Sequence, residues 1–100
     1  MERALGQRIE RHLTRRGAWW VKTHGAGTSR AGIPDYIVNY RGRAIAIETK
    51  TPTGRLTRLQ SYELDKFRQA GGIGIVARHL DDVAASLDAI DTLETARSEA

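Results

Sequence analysis

Cysteine is absent from the 100 residues. Its absence removes disulfides, thiolate metal ligands and cysteine nucleophiles together, so any metal must be held by oxygen or imidazole. It also fits a reducing compartment. Long apolar stretches are missing as well, since the runs extend only a few residues, against the roughly 20 that span a bilayer. The N-terminus, Met1-Glu2-Arg3, leads into a charged amphipathic stretch and has no signal-peptide core. These absences predict a soluble intracellular protein without a membrane partner. There is no internal repeat, linker or low-complexity tract, and the length suits one domain rather than two. A domain near this size leaves roughly a third of its unfolded surface exposed, so a partner subunit would add stability.

Charge is plentiful and unevenly placed. Residues 1–58 hold 12 Lys/Arg against 4 Asp/Glu, a net of +8, whereas residues 59–100 hold 4 against 8, a net of −4. A basic half of this kind either attracts a polyanion such as nucleic acid or forms a solvated basic surface. Charge alone does not choose between the two.

Leu5, Ile9 and Leu13 recur every four residues and predict a helix over 2–16, stopped by Gly17 after Arg15 and Arg16. Residues 18–23 read as a strand from their aromatic and β-branched content. The glycines and the proline of 24–34 make a loop. Residues 35–40 and 43–50 are the clearest strands, and only Arg41-Gly42 separates them, which predicts a hairpin. After a second loop, 51–56, Thr57 opens a helix to about Ala70 with the capping-box pattern Thr57 to Gln60, and Gly71-Gly72 ends it. Residues 73–77 form a fully apolar strand, expected at the centre of the sheet. Asp81 is the expected cap of a last helix to about Leu93, with a frayed tail beyond, residues 95–100 included. The strand–helix–strand unit at 43–77 should be a right-handed crossover with parallel strands. The expected class is therefore α/β, a mixed sheet flanked by helices in the order α-β-β-β-α-β-α.

The hairpin turn sets a register. With Arg41-Gly42 as a two-residue loop, Tyr40 faces Arg43, and counting outward places Asp35 opposite Glu48. Opposed residues share a face with Cβ atoms about 4.5–5.5 Å apart, and Lys50, two residues on, shares it too. Tyr36, Val38, Tyr40, Ile45 and Ile47 form a continuous apolar surface on the other face. Like charges directly opposed on a sheet repel. Lys50 offsets part of that repulsion, and a divalent cation would offset more, because two hard carboxylates suit Mg²⁺ or Mn²⁺. The plainer reading is a surface cluster in which Lys50 simply pairs with Glu48.

A third acid lies on the first helix. Glu2 projects about 20° from Ile9 at about 100° per residue, inside the apolar stripe. A carboxylate there needs a partner or a metal, unless the helix end frays and leaves it in water. Glu10, at the edge of the stripe, is expected to be solvated. The loop carries Gly25-x-Gly27 without the Gly-Lys-Ser/Thr ending of a P-loop, which argues against a nucleotide cofactor. His12, His24 and His79 have no metal-ligand spacing, and His24 alone is near the proposed centre. Trp19 and Trp20 point to opposite faces of their strand, one into the core and the other expected to pack as well, with a dimer contact or a base-stacking surface as alternatives.

At Gly32-Ile-Pro-Asp35, Glu48-Thr-Lys50 and Gln60 the sequence resembles the PD-(D/E)xK nuclease superfamily, and from Gly32 to about Ala77 it is similar to the VRR-NUC family. The resemblance implies one nuclease domain over 1–100 with a restriction-endonuclease-like αβββαβ core and an added C-terminal helix. It implies phosphodiester hydrolysis with Mg²⁺ or Mn²⁺, in which Asp35 and Glu48 are metal ligands, joined by the Thr49 carbonyl and by Glu2. Lys50 would position or activate water and Gln60 would lie beside the site, although a capping role accounts for Gln60 equally. Stand-alone members resemble bacterial or phage proteins, which places the chain in the cytoplasm of a bacterium or an infected cell. They act as homodimers on branched DNA, four-way (Holliday) junctions among them. Lys22, Thr28, Ser29, Arg30 and Arg55 are the candidate DNA contacts, although a plain loop accounts for Thr28, Ser29 and Arg30 equally and an ordinary exposed lysine for Lys22. Two competing functions remain open: a non-catalytic DNA-binding or accessory subunit that keeps the fold, and a small structural α/β protein.

Overall fold

The structure is a computed structural model that describes residues 3–24 and 30–99. Its elements run α1 (Arg3–Arg15), β1 (Trp19–Lys22), β2 (Tyr36–Tyr40), β3 (Arg43–Thr49), α2 (Arg58–Gln69), β4 (Ile73–Ala77) and α3 (Leu80–Glu99). The four strands make one sheet in the order β1-β2-β3-β4. The first two pairings are antiparallel and β3 with β4 is parallel, which gives the mixed sheet expected of the hairpin and the crossover.

The β2–β3 register is the one set by the turn: Tyr40 pairs with Arg43 and Tyr36 with Ile47. Arg41 (φ 51°) and Gly42 (φ 81°) both adopt the left-handed conformation, the backbone that a tight two-residue hairpin needs. Arginine tolerates it less readily than asparagine, yet the pairing is not shifted.

One face of the sheet is the main core. Leu5, Ile9 and Leu13 of α1 and Val83, Leu87 and Ile90 of α3 pack with Tyr36, Val38, Ile45, Ile47 and Ile75. Each fully buried Leu or Ile contributes on the order of 1.5–3 kcal/mol. Trp20 joins this face edge-on to Tyr36, 5.9 Å between ring centroids, while Trp19, expected to pack as well, stays 61% exposed. The opposite face is covered by α2, whose Leu64 is buried. Small residues let the helix approach: a Cβ added to Gly74 would lie 2.9 Å from the Leu64 side chain.

Three further expectations need correction. β4 lies at an edge of the sheet, not its centre. Its apolar run reflects cover on both faces, by α2 and α3, and burial of faces says nothing about how many edges are paired. The last helix runs to Glu99, with 95–99 helical rather than frayed. No glycine or proline interrupts 80–99, and Glu94 anchors that end through Arg43 (3.2 Å) and Arg97 (3.6 Å). At its start Asp82, rather than Asp81, supplies the carboxylate: Oδ2 accepts from the Arg78 and His79 amides at 2.8 and 3.0 Å.

Candidate active site

The site forms where β2 and β3 leave the hairpin. Asp35 stands one residue before β2, and its backbone is held from the β1 side: the Thr23 amide donates to the Asp35 carbonyl at 2.9 Å, and the Thr23 hydroxyl donates to the Pro34 carbonyl at 2.5 Å. Gly32 makes this approach possible. Its φ of +85° suits glycine, and a Cβ there would sit 2.5 Å from the Leu59 side chain and 2.9 Å from the Leu59 carbonyl oxygen. The Gly-Ile-Pro-Asp run is thus a backbone bend wedged under α2, with the carboxylate at its end.

Asp35 and Glu48 are 3% and 4% exposed. The Asp35 Oδ2 accepts from the Thr49 amide at 2.8 Å and from the Thr49 hydroxyl at 2.7 Å. Oδ1 faces His24 Nε2 at 3.1 Å. Glu48 differs: its Oε2 is buried with no hydrogen-bond partner. Burial first, and then the Asp35 charge, push its pKa up to about 7, against the opposing charge of Lys50. A buried carboxylate left half-satisfied is costly. An orphaned buried oxygen beside a second buried carboxylate therefore fits a hard divalent cation.

The residues named from the sequence divide into groups. Asp35, Glu48 and Thr49 come together, with the Lys50 charge acting on Glu48. Glu2, Thr28 and Ser29 lie outside the described residues. Among the described residues no group of three or more His, Cys, Asp or Glu is placed to hold a metal, so two carboxylates are what this part of the chain offers. Gln60 is engaged in the capping box: its Oε1 accepts from the Thr57 amide at 2.9 Å while its own amide donates to Thr57 Oγ1 at 3.1 Å. Glu10 is not free in water as expected, because it accepts from the Tyr36 hydroxyl at 2.5 Å and lies 3.7 Å from Lys22 Nζ. Arg30 is bound to Glu63 at 2.9 Å. Arg55 is exposed.

The sequence places His24 near the centre but gives no signal for its contact with Asp35, and none at all for Arg78. His24 reaches Asp35 because β1 pairs with β2 so that Lys22 faces Tyr36, a register no local turn specifies. Arg78, just after β4, reaches back to the loop behind Lys50 and donates through Nη1 to the carbonyls of Thr51 (2.8 Å) and Gly54 (2.5 Å). It fixes the loop that follows the Glu48-Thr49-Lys50 run.

The chain matches no protein-family model and no curated protein. Solved structures do resemble it. A VRR_NUC domain superposes with a TM-score of 0.73 at 22% identity, covering 87% of this chain and 94% of that one. A second VRR_NUC domain protein gives 0.51 at 24% identity over 66% of this chain and 55% of the other. Hjc of Archaeoglobus fulgidus, a Holliday junction resolvase, gives 0.50 at 23% identity over 71% of this chain and 63% of that one. At these identities the likeness is one of fold, and the chain has the fold of the VRR_NUC domain structure.

Proposed function

We propose that the chain is a single-domain, metal-dependent DNA endonuclease of the VRR-NUC type that hydrolyses phosphodiester bonds in branched DNA, four-way junctions included. The observation that carries the reading is the orphaned, buried Glu48 Oε2 beside Asp35 at the end of the hairpin. The fold likeness to VRR_NUC domains and to a Holliday junction resolvase supports it.

In this reading Asp35 and Glu48 hold the ion, with the Thr49 carbonyl and Glu2 completing its ligands. Bound Mg²⁺ or Mn²⁺ would acidify water and neutralise charge on a phosphoryl oxygen. The Thr49 amide and hydroxyl keep Asp35 Oδ2 oriented. Lys50 places a positive charge beside the carboxylates, where it orients water and offsets charge that builds on phosphate. Gln60 is assigned to the margin of the site.

Labelled four-way junctions, flaps, single strands and plain duplex, incubated with Mg²⁺, Mn²⁺ or EDTA, test the proposal. Metal-dependent cleavage of the branched substrates is expected. Lys50→Ala and Asp35→Asn should each lower the rate by roughly 10²–10⁴-fold, as removal of a positioned group does, while DNA binding persists. Intact substrates with both metals would overturn the enzyme reading, and DNA binding without cleavage would identify an accessory subunit.

A further inference from the structure

The cations of this chain differ in whether an acid neutralises them. The β2–β3 turn and Arg16 face α3, where Asp91 takes Arg16 and Arg41 at 2.9 Å each and Glu94 takes Arg43 at 3.2 Å. Two of the DNA contacts expected from sequence are likewise occupied, Lys22 by Glu10 and Arg30 by Glu63. Arg8, Arg11 and Arg15 are different. All three are exposed, and among the described residues none has a carboxylate within ion-pair distance. At about 100° per residue they fall within about 60° of one another, a single stripe about 10 Å long on α1.

The stripe leads toward the site. Arg8 lines a cavity of about 430 Å³ together with Pro52, Arg78, His79 and Asp81. Pro52 is two residues beyond Lys50, and Arg78 holds the Thr51 and Gly54 carbonyls of the same loop. One acid, Asp81, faces this cavity, against Arg8 and Arg78. His12 is held below its usual pKa first by burial, then by Arg16, which lies outside the stripe, and by Arg15 of the stripe, with Asp88 opposing.

We propose that Arg8, Arg11 and Arg15 form a track for the phosphate backbone of DNA, carrying a strand along the outer face of α1 to the loop behind Lys50. The inference rests on the nuclease reading and deepens it, by placing the DNA on α1 rather than on the Lys22 and Arg30 surface. DNA is the favoured partner because an unneutralised stripe of arginines on a rigid helix matches regularly spaced phosphates without needing a base sequence.

The test is DNA affinity against salt, read by fluorescence anisotropy in EDTA with a labelled four-way junction. For every phosphate that an arginine no longer neutralises, the slope of log K against log salt should shrink by about 0.9. The triple variant Arg8→Ala, Arg11→Ala, Arg15→Ala should therefore lower that slope by up to about 2.7, and under cleavage conditions its KM should rise more than its kcat falls. Replacing all three with lysine should keep the slope. A control triple at acid-paired sites, Arg43→Ala, Arg68→Ala, Arg97→Ala, changes net charge equally and should also keep it. Alanine at exposed helical positions favours the helix, and an Arg→Gln triple removes the same charges should the alanine protein fail to fold. An unchanged slope in the α1 triples, or an equal decrease in the control, overturns the track. If the parent protein still cleaves, the nuclease reading stands without it. A parent that neither binds nor cleaves DNA overturns both.

Discussion

The Glu48 carboxylate is 4% exposed, and its pKa of about 7 lies above the ordinary 4.5. Between those values the folded chain binds more protons than the unfolded one, so the group's contribution to stability is fully present below about pH 4.5 and is lost as pH rises through about 7. Glu48→Gln keeps the shape and removes the charge. It should stabilise the metal-free protein by about 2 kcal/mol at pH 8, from ~1.4 kcal/mol per pKa unit discounted for water access. It should also flatten the decline in stability across the neutral range, measured by urea melts. Added Mg²⁺ should reverse the order, raising the melting temperature of the parent and not of Glu48→Gln, since only a folded state with its ligands intact is stabilised by binding. A Gln variant no more stable than its parent at high pH would show that the ionised carboxylate is not strained. The nearness of Asp35 and Glu48 was legible in the sequence because a two-residue turn transmits register outward along both strands, as far as Tyr36 opposite Ile47. The His24 and Arg78 interactions were not legible, because both depend on elements brought together only by the sheet.

At the scale of elements, α2 shows how one residue satisfies two patterns. Gln60 completes the capping box on Thr57 and is also a residue through which the sequence resembles the nuclease motif. The two roles separate by substitution. Gln60→Glu retains a side-chain acceptor for the Thr57 amide and favours the helix N-terminus, so stability should change by less than about 0.5 kcal/mol. Gln60→Ala should cost about 1 kcal/mol by opening one side of the box. If Gln60 also serves the site, both variants should lose cleavage, the Glu variant without loss of stability. Full activity in Gln60→Glu would assign the residue to the cap alone. Element boundaries were legible to within a residue or two for the strands, where alternation and turns are local. The position of β4 and the length of α3 were not. The first depends on which strand edges find partners, and the second on cross-element pairs such as Arg43 with Glu94.

For the whole molecule, the net charges of the two halves were plain in the sequence, but not which cations remain unneutralised, since α3 brings its acids to Arg16 and the hairpin turn rather than to Arg8, Arg11 and Arg15. The same holds for the surface left for a partner. β1 is an edge strand of four residues, and Trp19 and Val21 stand 61% and 41% exposed on the face turned away from the main core. An exposed edge bearing large apolar side chains invites pairing with another chain. The resemblance to stand-alone nucleases implies a homodimer, and paired cuts across a junction would suit two sites related by symmetry. Leu93, 51% exposed on α3, offers a second apolar surface, and Leu59 and Tyr62 on α2 are exposed as well. Placing the interface on β1 predicts that Trp19→Lys shifts the protein to monomer in sedimentation equilibrium while Leu93→Lys leaves the dimer intact. The Trp19→Lys monomer should retain its circular dichroism spectrum, because Trp20 rather than Trp19 packs on Tyr36. It should nick junctions singly instead of resolving them by paired cuts. A dimer disrupted only by Leu93→Lys would move the interface to α3, and a parent that sediments as a monomer with paired cleavage intact would remove symmetry from the mechanism.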